Sequence, residues 1–138
     1  MSDFVAALRG TVRALRAEVD RMLTAHGLRL GQYQLLRVLW ERDGQTPREL
    51  AEAVGVEMPT VTRTVQRMVR DGFVRREAHP RDARSVRIFV TQKGRDAQAV
   101  ASQVLQAGTE RALSGFSAAE QAELTAQLER IRENLAAD

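Results

Sequence analysis

The chain has no cysteine among its 138 residues, so a disulfide framework, a thiol nucleophile, a cysteine-based metal site and a cysteine redox switch are all excluded. Histidine is almost as scarce: His26 and His79 are the only two, and they read as a helix-end residue and a turn residue rather than as a ligand pair. No Gly-x-Ser-x-Gly, His-Glu-x-x-His or glycine-rich phosphate loop occurs, and Asp and Glu are scattered without a paired-carboxylate pattern. The expectation is therefore no enzyme, no metal and no cofactor. No apolar run approaches the roughly 18 residues of a membrane span, and charges interrupt the opening stretch MSDFVAALRGTVRALRAEVD throughout, unlike a signal peptide. This predicts a soluble cytoplasmic protein with no membrane partner.

Lysine is also nearly absent, Lys93 being the single one among 21 basic residues, and the arginines are unevenly spread. Between Pro59 and Lys93 nine cations stand against three acids, a net +6, which leaves the rest of the +3 chain at −3. A basic region on an otherwise mildly acidic chain points to a localised anionic partner. Arginine suits such a partner, because its planar fork matches phosphate oxygens and guanine edges.

At this length the chain has room for one core, and residues 1–138 read as a single domain. Leu8, Val12, Leu15, Val19 and Met22 follow 4-3-4-3 spacing, the stripe of a long amphipathic first helix with Arg9, Arg13 and Arg16 largely off it. Leu124, Leu128, Ile131 and Leu135 repeat that spacing in a last helix opened by SAAE, Ser117 to Glu120, which fits a capping box. Ala97, Val100, Ala101, Val104 and Leu105 mark another helix between Gly94 and Ser114. Packing within one chain is one reading of these stripes. The other, preferred because the terminal helices carry more apolar face than so small a domain can bury, assigns residues 1–30 and 94–138 to a twofold homodimer around a core of residues 31–93.

In the middle, Leu35, Leu36, Leu39 and Trp40 form one face of a short helix, with Gly44 as its stop. The next stretch is TPRELAEAVGVEMPTVTRTVQRMVRDGFV. Pro47 suits a first helical turn, Leu50, Ala51 and Val54 make an inward face, and Gly55 supplies a left-handed link under a crossing helix. Met58 to Asp71 is that second helix, with Val61, Val65, Met68 and Val69 toward the core. Its other face carries Thr60, Thr62, Arg63, Gln66, Arg67 and Arg70, with no acid between Met58 and Arg70. Hydroxyls, an amide and guanidiniums contact phosphates and base edges, so the pair reads as a helix-turn-helix whose partner is double-stranded DNA. VRREAH and SVRIFV, flanking a Pro-Arg-Asp-Ala-Arg loop, can pair as a hairpin. The fold class expected is mainly α with a small β-hairpin wing: a winged helix-turn-helix between long terminal helices. The alternative function is a protein-interaction module that sets the same basic face on an acidic protein partner.

From Pro47 to Gly94 the sequence resembles the MarR family of bacterial transcription regulators: a helix-turn-helix, then RDGFVRR (Arg70 to Arg76), DAR (Asp82 to Arg84) and VTQKG (Val90 to Gly94). The resemblance implies a homodimer on a pseudo-palindromic operator, often repressing, and often released by a small phenolic or carboxylated effector or by cysteine oxidation. The last is excluded here. It also implies an effector pocket where the first helix, the Gln32 to Arg42 helix and the helix-turn-helix meet, which brings forward Arg16, His26, Tyr33 and Trp40. Of these, Tyr33 and Trp40 also read as simple core.

Within the expected interface, Arg63 lies on the outward face near the start of the second helix and is assigned to base reading, while Arg67 and Arg70 lie further along and are assigned to phosphate. Arg84, and in second place Arg81, is assigned to the minor groove, whose narrow stretches attract arginine. Asp82 either aims the Arg84 guanidinium or stabilises the turn through the backbone.

Overall fold

The computed structural model describes residues 2–137. Helix α1 (Ser2–Thr24) is followed by a turn at Gly27, then by α2 (Leu30–Glu41), α3 (Pro47–Val54), α4 (Met58–Arg70), strands β1 (Val74–His79) and β2 (Asp82–Val90), α5 (Gln92–Ala112) and α6 (Ala118–Ala136). It is mainly helical with one two-stranded antiparallel hairpin, as expected. Among the described residues no helix is long and apolar enough to cross a membrane.

Local chemistry explains where the central helices begin and end. Thr46 caps α3: its hydroxyl accepts from the Glu49 N–H at 3.2 Å, and the Glu49 carboxylate accepts from the Thr46 N–H. Pro47 at the first helical position has no N–H to leave unsatisfied. The helix closes at Gly55, whose φ of 77° lets its N–H and that of Val56 both reach the Ala51 carbonyl. In α4 the apolar residues Val61, Val65 and Met68 are buried at 3.6-residue spacing. The helix-turn-helix core joins them to Leu36, Leu39, Leu50 and the wing residues Ile88 and Val90.

The wing is tied to the helices at its base. A bridge pairs Gln45 with Ile88, the Asp43 carboxylate accepts from the Val90 N–H at 2.9 Å, and Arg87 Nε donates to the Gly44 carbonyl at 2.9 Å. At the exit Thr91 caps α5 by accepting from the Gly94 N–H. A Cβ at Gly94 would run into the Phe73 carbonyl oxygen, so only glycine lets α5 leave the hairpin so closely.

Several expectations are corrected. Strand β2 begins at Asp82, three residues earlier than its apolar run suggests, which shortens the loop to Pro80 and Arg81. Val69 lies at the rim of α4 and is exposed, because its position is one step past the buried stripe. Helix α2 stops at Glu41, closed by the Arg42 N–H on the Val38 carbonyl; Gly44 instead turns the following loop at φ 71° against the Phe89 ring.

The terminal helices differ from the middle. Val19 and Leu23 of α1 enter the core beside Ala101 and Val104 of α5. Further toward the N-terminus, Phe4, Val5, Val12 and Leu15 are exposed. Helix α6 contributes no buried residue, and Leu135 is 82% exposed.

Candidate nucleic-acid interface

The outward face of α4 follows from its inward one, since burying Val61, Val65 and Met68 turns Thr60, Thr62, Arg63, Gln66, Arg67 and Arg70 to solvent, and all six are exposed. Arg63 and Arg67 make no salt bridge among the described residues, while Arg70 Nε lies 3.3 Å from Asp71 Oδ1. Arg63, Gln66, Arg67 and Arg70 together line a shallow groove of about 390 Å³. Four long polar side chains around an open groove, with no carboxylate among them, make a surface that attracts anions.

The C-terminal end of α4 is held from three sides. Asp71 caps the helix through its N–H on the Arg67 carbonyl, and the Phe73 N–H returns to the Met68 carbonyl across Gly72, at φ 84°. The Asp71 carboxylate accepts from Gln32 Nε2 at 2.9 Å, a bond that, with Arg70, holds its pKa below the usual carboxylate value. Lys93 Nζ donates to the Asp71 carbonyl at 2.6 Å and lies 4.6 Å from the centre of the Phe73 ring.

At the wing tip the pairing runs Ala78 with Val86 and then jumps to His79 with Asp82. The residues between Asp82 and Val86 therefore bulge from β2. Arg84 sits on this bulge with its side chain 96% exposed. One oxygen of Asp82 faces both groups of Arg84: Oδ1 accepts from the Arg84 backbone N–H at 3.0 Å and lies 3.6 Å from Arg84 Nε. The Arg81 N–H donates to His79 Nδ1 at 3.2 Å, so His79, at the end of β1, closes the turn. Farther down, Arg75 and Arg87 each place a guanidinium 5.0 Å from the centre of the Phe89 ring, and Arg75 also pairs with Glu77. Those two arginines stiffen the wing, while Arg81 and Arg84 stand exposed at its tip.

Behind α4 lies a cleft of about 680 Å³ between α1, the start of α2 and the C-terminal half of α4. Arg16, Arg29, Arg67 and Arg70 line it, together with Asp20 and Asp71. Of the four residues brought forward for an effector, Arg16 alone lines this cleft. His26 is exposed in the turn after α1. Trp40 Nε1 donates to the Gly94 carbonyl at 3.0 Å, so Trp40 belongs to the seam between α2 and α5, and Tyr33 packs beside it with ring centroids 6.1 Å apart. Burial raises the Tyr33 pKa, as suits a phenol used for packing. Among the described residues no cluster of acids and histidines could hold a metal ion.

Sequence reasoning missed the polar residues that position this surface. Gln32, Asp43 and Lys93 act over 39, 47 and 22 residues, separations that leave no local pattern, while Gln45 bonds the nearby Val38 and Arg42 carbonyls; the Asp43-Gly44 dipeptide, a turn signal, is the one available hint.

The MarR family profile matches residues 28–86. YybA of Bacillus subtilis (strain 168), described as an uncharacterized HTH-type transcriptional regulator, is 28% identical over 138 residues, spanning 100% of this chain and 92% of its own. The HTH-type transcriptional repressor Mb2911 of Mycobacterium bovis is 34% identical over 118 residues, 85% of this chain and 84% of its own. Among solved structures, a MarR transcriptional regulator from Methanosarcina mazei Go1 superposes with a TM-score of 0.86 at 25% identity, over 97% of this chain and 96% of that one. A polar recognition face on α4, a wing carrying arginine at its tip and likeness along nearly the whole chain agree: the protein belongs to the MarR family of DNA-binding transcriptional regulators, which are not enzymes.

Proposed function

We propose that this regulator is a homodimeric repressor of a pseudo-palindromic operator, with α4 in the major groove and the wing tip in the minor groove. The carrying observation is the acid-free outer face of α4, on which Thr60, Thr62, Arg63, Gln66, Arg67 and Arg70 are all exposed. A solvated helix face of that length would ordinarily mix signs, whereas this one offers only donors and hydroxyls to a polyanion. Arg63 reads a base edge, Arg67 and Arg70 grip phosphates, and Arg84, with Arg81 beside it, enters the minor groove. Residues 31–93 form the DNA-binding core, and residues 1–30 and 94–138 carry the dimer contacts. Support for the dimer comes from the exposed Phe4, Val12, Leu15 and Leu128 and from a family whose members form dimers. Repression accords with the activity named for Mb2911.

The cleft behind α4 is the proposed seat of an effector. Its arginines suit a carboxylate, and a ring would stack on a guanidinium rather than on an aromatic wall. Selecting duplexes from a random pool and testing the winner against a scrambled duplex at moderate salt checks the central reading. A preference of about 10³-fold or more is expected for a specific site. Equal binding to both duplexes would favour an acidic protein as the partner instead.

A further inference from the structure

The buried polar residue beneath the recognition helix has a use that the interface itself does not explain. Gln32 is only 3% exposed, yet its carboxamide is bonded at both ends: Oε1 accepts from the Arg29 N–H at 3.0 Å, and Nε2 donates to Asp71 Oδ2 at 2.9 Å, across 39 residues of sequence. Rotating the amide by half a turn would set its oxygen against the Asp71 carboxylate and its NH₂ against an N–H donor. The observed orientation is therefore the only one both partners accept.

Gln32 also belongs to a longer chain of bonds. On one side Asp20 of α1 accepts from the Leu30 N–H at 2.9 Å and from Arg29 at 3.3 Å, which fixes the start of α2 on α1. On the other, Asp71 holds Arg70 of the recognition face and takes Lys93 on its carbonyl. Apolar contacts such as Val61 and Met68 keep α4 at the right depth but tolerate small rotations and slides. A hydrogen bond weakens steeply with distance and angle, so it resists both.

We infer that Gln32 is a positioning residue for DNA recognition, its carboxamide bridging the start of α2 to the cap of α4 and so fixing the roll of the recognition helix relative to α1. With α1 at the dimer seam, this roll also sets the separation of the two recognition helices. That second part rests on the proposed dimer.

The experiment compares Gln32→Leu, Asp71→Asn and the pair Gln32→Glu with Asp71→Asn. In the pair the new carboxylate accepts both from the Arg29 N–H and from the new amide, so both bonds persist with the cross-helix one reversed in polarity. Each protein is titrated with the selected operator, with the operator carrying one extra central base pair, and with a scrambled duplex. Melting and sedimentation run alongside. For a folded, dimeric Gln32→Leu protein, operator affinity should fall roughly tenfold, the size of one spoiled base pair, while scrambled-duplex affinity stays within about twofold. Its penalty against the lengthened operator should shrink, and the paired variant should recover both properties. Gln32→Leu with the unmutated operator affinity and spacing penalty would overturn the inference, and so would an equal loss on every duplex. Sedimentation of the unmutated protein as a monomer would remove the dimer reading alone. The operator-to-scrambled ratio on a single half-site then decides: its loss in Gln32→Leu supports positioning, and its retention overturns it.

Discussion

At the scale of single residues the interface divides into side chains that reach and side chains that hold. Arg63, unpaired among the described residues and on the outer face near the start of α4, is expected to read a base. Arg63→Ala should weaken operator binding by about 1–3 kcal/mol per half-site and relax preference at one base position, as measured by titration against single-base operator variants. A loss equal over all variants would make Arg63 a phosphate contact. Asp82 is a holder with two grips on Arg84, one on its backbone and one near its guanidinium. Asp82→Ala releases both, whereas Asp82→Asn keeps an oxygen for the backbone N–H and loses the charge. If aiming matters, both variants weaken operator binding despite removing a negative charge, and neither adds much to Arg84→Ala. Tighter binding by Asp82→Ala would show that plain repulsion dominates.

At the scale of elements, the start of α3 illustrates how much a short motif carries. Thr46 caps the helix, Glu49 returns the favour, and the Arg42 guanidinium 2.5 Å from Glu49 is the largest cause of that carboxyl's lowered pKa. Thr46→Ala should lower stability by about 1 kcal/mol in chemical denaturation, with operator specificity unchanged at temperatures where the protein is folded. A specificity change without a stability change would mean that the cap positions α4 instead. Such features were legible in the sequence because they are local. Pro47 and Gly55 bracket α3, Thr91 and Gly94 open α5, and the 3.6-residue period sorts the two faces of α4. The bulge at the wing tip is not legible in the sequence, because it depends on the register between two strands, which neither strand encodes alone. The exposure of Val69 is hidden for a related reason: periodicity gives a stripe, and its edge is set by what packs beside it. Gln45 was illegible altogether, since its side chain is buried to donate to the Val38 and Arg42 carbonyls of a helix end whose position only the fold determines.

For the whole molecule, the two ends of the chain are unfinished surfaces around a finished centre. Helix α6 has no fully buried residue, and the first turns of α1 expose Phe4 and Val5. In the proposed dimer these are the faces assigned to the second copy. Replacing Leu128 and Ile131 together by Asp should abolish assembly and operator binding in step, because each change places an unpaired charge in the proposed seam. Sedimentation and operator titration on the same preparation check this. A doubly substituted protein that still sediments as a dimer would show that the seam lies elsewhere.

The scarcity of two residue types gives this molecule a practical property. Lys93 carries the only side-chain amine, and its Nζ sits on the carbonyl that ends the recognition helix. With no native thiol to compete, a cysteine introduced at the wing tip would be the sole target of maleimide chemistry. With the α-amino group blocked, an acyl dye on Lys93 and a second dye on that thiol would then mark the start of α5, beside the end of α4, and the wing tip of one protomer without removing any native side chain first. Energy transfer between the labels would follow the angle between wing and helix as the protein closes on a duplex. Acylation of Lys93 also removes its charge and its donation to Asp71, so the labelled protein must be compared with an unlabelled one in the same titration.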